Sequence, residues 1–230
     1  MMAKFSKNTK NNTFLTAAAK KMPLLLQELE KLYPEAICSL NYNTPFQLLI
    51  STQLSAQCTD ARVNLVTPAL FERFPDAAAF AIADTDEIEK YIYSTGFYRN
   101  KAKNIKKCSQ DIIEKYNGEL PDTMEGLLSL AGVGRKTANL VLGDAFNKPS
   151  YVVDTHAKRL CNRIGLTKNT DPVKIEMDLR TILPPNEENP KESSGFCHRL
   201  VLHGRALCTA SKPKCHICPI GLNGLCNYCK

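Results

Sequence analysis

The hydrophobic positions of this chain recur every three to four residues, a period that predicts α-helices along most of its length. The clearest segment is 99–116, where apolar Ala102, Ile105 and Ile112 are separated by lysines before Asn117-Gly118 end the helix. The alternating pattern typical of strands is nearly missing from the sequence. The chain is therefore predicted to be all-α.

Polar capping residues and prolines predict where these helices begin. Thr44-Pro45 and Thr59 are N-terminal signals, and the segments Asp84–Glu87 and Asp122–Glu125 have the pattern of capping boxes. A polar, proline-containing linker is predicted at 184–194. The predicted helices span 46–57, 59–71, 88–93, 99–116, 136–146, 154–164, 172–183 and 194–207.

Composition and charge narrow the class of protein. The 230 residues are 43% hydrophobic and 23% charged, as in ordinary globular proteins. The formal net charge of +7 favours an anionic partner. A secretory signal and a stretch long enough to cross a membrane are both missing, so we expect a protein of a reducing, cytoplasmic setting without a membrane partner.

Five of the ten cysteines lie in the last 23 residues, with the spacing C-x6-C-x2-C-x7-C-x2-C. A short segment with little apolar sequence needs a metal centre to hold it. The two C-x2-C pairs, Cys215/Cys218 and Cys226/Cys229, fit structural zinc. Cys208, Cys215, Cys218 and Cys226 would instead suit a 4Fe-4S cluster. The spacing alone does not separate the two metals.

The richest motif is the segment 130–138, L-A-G-V-G-R-K-T-A. Gly132 and Gly134, on either side of Val133, would let the backbone take positive φ and approach a ligand closely. Turn amides followed by a helix N-terminus favour phosphate binding. Lys136 lies at that positive end, where the helix dipole disfavours a second positive charge, and a nucleophilic amine has to be uncharged to attack.

Simpler interpretations exist for each of these residues. A glycine connection between two packed helices is common. Asp154, the second residue of the motif V-D-T-H at 153–156, is a typical helix N-cap. Capping is compatible with catalysis, because a carboxylate at a helix N-terminus stays ionised and can stabilise a cation. His156 is more often a structural residue than an acid or base.

Taken together, these motifs resemble the endonuclease III family of DNA glycosylases and apurinic/apyrimidinic lyases. The resemblance extends from about Gln27 to Cys226. It rests on the 130–138 segment, V-D-T-H at 153–156, L-S-A-Q-C-T-D at 54–60, C-H-R-L-V-L-H-G-R at 197–205 and the terminal cysteines. Such a combination of motifs is highly specific.

The resemblance implies a two-lobed helix-hairpin-helix glycosylase fold. Residues 37–147 would form a six-helix bundle that contains the helix-hairpin-helix at about 121–146. Residues 1–36 and 148–230 would form a second helical domain with a 4Fe-4S cluster. By motif, Lys136 is the nucleophile, Asp154 its acidic partner, and the cluster ligands are Cys208, Cys215, Cys218 and Cys226.

The same resemblance implies DNA contacts. The hairpin residues Gly132, Val133, Gly134 and Arg135 would hold a DNA phosphate. Gln57 matches the position that fills the space left by a flipped nucleotide, and Phe97 falls where the family usually has a leucine wedge. An aromatic side chain there can still intercalate.

Two departures from the family pattern stand out. The family spacing before its last cysteine is usually C-x5-C, whereas Cys218 and Cys226 are separated by seven residues, and Cys229 is extra. The usual proline before G-V-G is replaced by Ala131, which stiffens the turn less.

The implied activity is removal of oxidised pyrimidines from damaged double-stranded DNA by a monomeric base-excision repair enzyme. Related adenine-mismatch glycosylases lack the lysine, and oxidised-guanine glycosylases lack the cysteine cluster. Two alternatives are a DNA-binding module without activity and a glycosylase without lyase activity. In a bacterium the protein would associate with the nucleoid.

Overall fold

The computed structural model describes the backbone of residues 2–229 and the side chains of residues 13–229, and regular structure there is entirely helical. The α-helices are α1 (Met2–Leu32), α2 (Pro45–Leu54), α3 (Asp60–Arg73), α4 (Ala77–Ile82), α5 (Thr85–Ile92), α6 (Tyr98–Tyr116), α7 (Met124–Leu128), α8 (Arg135–Asp144), α9 (Thr155–Ile164), α10 (Pro172–Ile182), α11 (Lys191–Ala206) and α12 (Pro219–Leu222). Two 3₁₀ turns span Tyr93–Thr95 and Cys215–Ile217. The all-α prediction is confirmed. Within 2–229, each helix is too short or too polar to cross a membrane.

The chain divides into two compact units, and one of them is Cys38–Asn147. In this unit α6 packs against α4 and α5, and α8 packs against α2 and α7. Its apolar core is drawn from every one of these helices, as the amphipathic pattern of the sequence requires. The fully buried core side chains include Leu48, Leu49, Ile50, Leu54, Leu70, Phe80, Ile88, Ile105 and Ile112.

The second unit combines α1 with the described chain after Asn147. Here α1 packs against α10 and α11, and α9 packs against α11. Tyr151 and Phe196 are the largest fully buried side chains. The Lys21 ammonium of α1 donates to the carbonyl of Ile164, 3.0 Å away, which ties the N-terminal helix to the end of α9.

Several helix ends match their sequence signals. Thr44 Oγ1 accepts from the Gln47 N–H at 3.2 Å, and proline follows at the first helical position of α2. The end of α6 is also as predicted, because Asn117 takes a left-handed conformation at φ 54°.

Other ends differ from prediction. Helix α2 was predicted through Gln57 but ends at Leu54, and α11 begins at Lys191 rather than Ser194. The Asp122 capping box is wrong by one residue, because Thr123 Oγ1 accepts from the Gly126 N–H at 3.1 Å. At Asp84 the carbonyl accepts from Glu87 and Ile88, and the side chain does not form the predicted box.

Candidate functional site

The turn between α7 and α8 carries the glycine motif, and its two glycines have different roles. Gly132 has φ +72°, a conformation that favours glycine, and a Cβ there would make a tight contact, 3.1 Å from the Asn104 Cβ. The expectation of positive φ is wrong for Gly134, which has φ −97° because it is the extended N-cap of α8. A Cβ on Gly134 would meet open space.

The rest of the hairpin is held by its own backbone. Val133 is buried, and its N–H donates to the Leu130 carbonyl at 3.2 Å. The Gly134 carbonyl accepts from the Ala138 N–H at 2.9 Å, which starts α8. The first N–H groups of a helix point along its axis without an acceptor inside the helix. The start of α8 therefore offers donors suited to an anion.

Lys136 lies in the first turn of α8 and is exposed, next to half-buried Arg135. The structure therefore leaves its amine accessible to a large substrate at the positive end of a helix. Both residues belong to the Cys38–Asn147 unit.

Asp154 is the N-cap of α9, in the other unit. Its Oδ1 accepts from the Ala157 N–H at 2.7 Å, and its carbonyl accepts from Lys158 at 2.9 Å. The side chain is half-buried. The capping role expected from sequence is confirmed, and the cap holds the carboxylate in one orientation. His156 Nδ1 lies 3.1 Å from Arg159 Nη2, in keeping with a structural role.

Gln57 and Phe97 line one pocket of the Cys38–Asn147 unit together with Gly132. Neither is glycine, yet both have left-handed backbones, with φ of 54° and 50°. Phe97 also exposes 63% of its surface, which is unusual for phenylalanine. Strained backbones and exposed apolar side chains are typical of functional positions.

Lys101, which also lines this pocket, went unnoticed in the sequence. It is only 6% exposed, and its ammonium donates to the carbonyls of Leu54 and Thr95, each 2.8 Å away. Leu54 is the last residue of α2 and Thr95 the last residue of the first 3₁₀ turn, so the two carbonyls lie shortly before Gln57 and Phe97 in the chain. Burial lowers the pKa of Lys101. The sequence did hold one sign that Lys101 is buried: it lies one turn before Ile105, on the apolar face of α6.

The five C-terminal cysteines line a second pocket, within the other unit. Apolar side chains, among them Leu160, Ile164 and Ile220, form its walls. The cysteines are Cys208, Cys215, Cys218, Cys226 and Cys229, all free thiols and all buried or half-buried. Soft sulfur donors converging in an apolar pocket fit an iron–sulfur group.

Neighbouring side chains orient two of these sulfurs. Arg163 Nη1 donates to Cys208 Sγ at 3.4 Å, and His203 Nε2 lies 3.4 Å from Cys218 Sγ. Burial lowers the pKa of His203 to about 4, and Tyr33 Oη lies 3.2 Å from its Nδ1. Arg163 thus donates a hydrogen bond to the Cys208 sulfur, and the His203 ring lies within hydrogen-bonding distance of the Cys218 sulfur, as side chains around metal ligands commonly do.

Burial raises the pKa of the Cys218 and Cys229 thiols, and neighbouring cysteines add to the effect. Several thiolates can coexist in this pocket only with compensating positive charge, which bound iron supplies. Cys226 is buried, and its thiol donates to the Arg163 carbonyl at 3.4 Å. Cys229, which the sequence grouped with the other cysteines through its C-x2-C pair with Cys226, shares the pocket.

Comparison with known proteins identifies the family. Residues 50–185 match the HhH-GPD superfamily base excision DNA repair protein family. A second match, to the iron-sulfur binding domain of endonuclease III, covers residues 208–221. Endonuclease III of Synechocystis sp. is 56% identical over 85% of this chain and 90% of its own. The chain belongs to the endonuclease III family.

Other family members agree over similar lengths. Endonuclease III of Escherichia coli K12 is 39% identical over 91% of this chain and 96% of its own. The structure of a non-covalent endonuclease III–DNA complex superposes with a TM-score of 0.82 at 41% identity, covering 91% of this chain and 95% of that one. A trapped endonuclease III–DNA covalent intermediate matches with the same TM-score and identity.

Membership in the endonuclease III family makes this chain a DNA-binding base-excision repair enzyme with glycosylase activity. It also decides the metal: the cofactor is a 4Fe-4S cluster, and zinc is set aside. Cys208, Cys215 and Cys218 fall inside the matched iron–sulfur segment, whereas Cys226 and Cys229 follow it.

Proposed function

We propose that this protein is a bifunctional DNA glycosylase and apurinic/apyrimidinic lyase that removes oxidised pyrimidines from double-stranded DNA. One observation carries the proposal: Lys136 is exposed in the first turn of α8, immediately after the glycine hairpin. A relative 41% identical to this chain forms a covalent intermediate with DNA, which requires a nucleophile such as this amine.

The reaction begins with the damaged nucleotide leaving the stack, since a base inside a duplex is unreachable. The hairpin from Gly132 to Arg135 binds a backbone phosphate through its amides. Gln57 then fills the vacated space, and the Phe97 ring inserts between neighbouring bases. The common pocket that both residues line supports this pairing of roles.

Lys136 attacks C1′ of the flipped sugar as the bond from C1′ to the base breaks, and the base leaves with a proton. Asp154 stabilises the cationic charge that develops and accepts a proton from the amine. The C1′–O4′ bond then breaks and O4′ takes up a proton, which opens the sugar ring and leaves a protonated Schiff base between Lys136 and C1′. This Schiff base acidifies the C2′ proton. Its removal breaks the C3′–O bond, which cleaves the strand on the 3′ side of the lesion.

A bound 4Fe-4S cluster would hold the C-terminal segment in a fixed conformation. Cys208, Cys215, Cys218 and Cys226 would hold it, each as a thiolate. All four lie in the same apolar pocket. We further infer that the protein is a monomer. We also infer that it works in a reducing compartment such as the cytoplasm, since none of its ten cysteines is paired in a disulfide.

Borohydride trapping on a duplex with an abasic site tests the lyase. We expect the native protein to form a covalent adduct and Lys136→Gln to form none while still binding the duplex. Lys174→Gln is the matched control, because Lys174 is another exposed lysine in the first turn of a helix. An adduct that survives in Lys136→Gln would refute the assigned nucleophile.

The same assay separates the alternatives. Base release without an adduct or strand cleavage would indicate a glycosylase that lacks lyase activity, and binding without either would indicate a DNA-binding module. Duplexes carrying thymine glycol, 5-hydroxycytosine, 8-oxoguanine or an adenine mismatch test the substrate class. We expect excision of the first two only.

A further inference from the structure

The segment before the hairpin is held by a contact that the family's usual proline could not make. Proline lacks an N–H group and fixes φ near −65°. Ala131 stands at this position and keeps its N–H, which donates to Asp111 Oδ2 at 3.2 Å. The acceptor belongs to α6, twenty residues earlier in the chain.

Asp111 is built into the fold as a charged group. Its side chain is 5% exposed, and its Oδ1 lies 3.0 Å from Lys107 Nζ and 3.2 Å from Lys115 Nζ. The two lysines lie one turn before and one turn after it on α6. Burial alone would raise the pKa of this carboxyl, but the hydrogen bonds from Lys107, Lys115 and Ala131 lower it.

The two carboxylate oxygens of Asp111 therefore have different partners. Oδ1 is neutralised by the lysines, which leaves Oδ2 for the Ala131 amide. The other side of Ala131 is fixed as well, because Gln53 Nε2 donates to its carbonyl at 3.2 Å. Lys115 adds a contact to the Ser129 carbonyl at 3.3 Å. Both polar backbone groups directly before Gly132 are thus held by buried or half-buried side chains.

We propose that Asp111, charged and neutralised by Lys107 and Lys115, is a positioning residue that fixes the start of the DNA-binding hairpin in place of the missing proline. The inference rests on the proposed phosphate-binding role of the hairpin. A displacement of about 1 Å at Ala131 would shift the amides that follow, and misplacements of this size are costly at reacting sites. The carboxylate acts only through Ala131 and touches no substrate.

A double-mutant cycle tests the replacement of proline by this contact. Asp111→Leu removes the acceptor, and we expect affinity for a duplex with a tetrahydrofuran abasic analogue to fall about tenfold, as for the loss of one charge-assisted hydrogen bond. Ala131→Pro alone should weaken binding more than Asp111→Leu does, because the proline ring would take the place of the N–H that donates to Asp111. The double variant Asp111→Leu/Ala131→Pro should regain most of the native affinity.

Two controls distinguish positioning from general stability. Asp111→Asn can still accept from Ala131 and should keep more affinity than Asp111→Leu. Glu176→Leu removes an equally buried partner of Arg180 in the other unit, so it should lower the melting temperature and leave the affinity of the folded protein unchanged.

Additive losses in the cycle, or native affinity in Asp111→Leu, would overturn the inference. Because the readout is binding to an analogue that cannot react, failure of the lyase proposal would appear separately, as absence of a borohydride adduct from a native protein that binds the duplex.

Discussion

Gln57 and Phe97 lie forty residues apart in sequence, share a left-handed backbone conformation and line the same pocket. Lys101 connects their segments, since its ammonium bonds to the carbonyls of Leu54 and Thr95. The two side chains are therefore presented to solvent from a rigid support. Such a support would suit the insertion into DNA that we propose for both side chains, because little conformational entropy would be lost on binding.

Phe97→Ala should slow excision of a damaged pyrimidine by about tenfold or more, because the wedge that replaces base stacking is lost. The melting temperature should stay nearly native, since the ring is 63% exposed. Single-turnover excision and thermal denaturation check both points. Ile82→Ala is the control, as Ile82 is 87% exposed in the same unit. Equal rates in the two variants would contradict the wedge role.

Lys101→Met should destabilise the protein by about 2–4 kcal/mol, because two buried carbonyls lose their donor. Excision should fall in parallel, since the segments carrying Gln57 and Phe97 lose their common support. Chemical denaturation and excision rates measure the two effects. Lys106→Met, a half-buried lysine of the same helix, should change little. A native melting curve for Lys101→Met would show that the two bonds contribute nothing.

Asp154→Asn separates capping from chemistry. The amide oxygen can still accept from Ala157, so the melting temperature should hold, whereas excision and adduct formation should fall by about a hundredfold or more as the negative charge is lost. Asp171→Asn, an N-cap that accepts from Lys174 at 3.0 Å, should leave both activities native. Loss of stability without loss of activity in Asp154→Asn would point to a purely structural aspartate.

The ion pairs of Asp111 predict a specific dependence on pH. Its pKa in the folded protein lies below the ordinary value, so its contribution is present at neutral pH and is lost as the pH falls through that lowered pKa. The difference in unfolding free energy between the native protein and Asp111→Asn should therefore stay constant down to about pH 5 and shrink as the pH falls further, below the ordinary aspartate pKa of about 4. Denaturation at several pH values measures it. A difference that grows in acid would reverse the assigned sign.

Cys229→Ser should leave a brown protein with about four irons, if Cys226 is the fourth ligand. Cys218→Ser should lose iron and colour. Visible absorption and iron analysis give the answer without any activity measurement. The opposite result, with colour kept in Cys226→Ser and lost in Cys229→Ser, would assign the last ligand to Cys229.

The sequence predicted what depends on local pattern. Helical periodicity, the Thr44 cap and the Asp154 cap follow from residues within one turn of each other, and the structure has all of them. The left-handed Gly132 was also foreseeable. The extended Gly134 was not, because the same residue type serves as an N-cap and as a turn residue.

Contacts between distant segments could not be predicted from the local sequence pattern. Lys101 and Asp111 resemble the solvent-facing charges of an amphipathic helix, and their burial follows from carbonyls and amides supplied by other segments. The cysteine spacing grouped the C-terminal cysteines but gave no reason to expect Arg163 beside them, because Arg163 comes from a helix 45 residues before Cys208.

Helix α9 has Asp154 at its first end and Arg163 near its last. Arg163 contacts Cys208 Sγ, the carbonyl of Thr209 and the ring of Tyr228, and its own carbonyl accepts from Cys226. Ten residues of helix span only about 15 Å. The proposed catalytic acid and a side chain that contacts the proposed cluster ligands therefore lie on one short helix. A change in the cysteine pocket that moved Arg163 would move the far end of the helix whose first end orients Asp154.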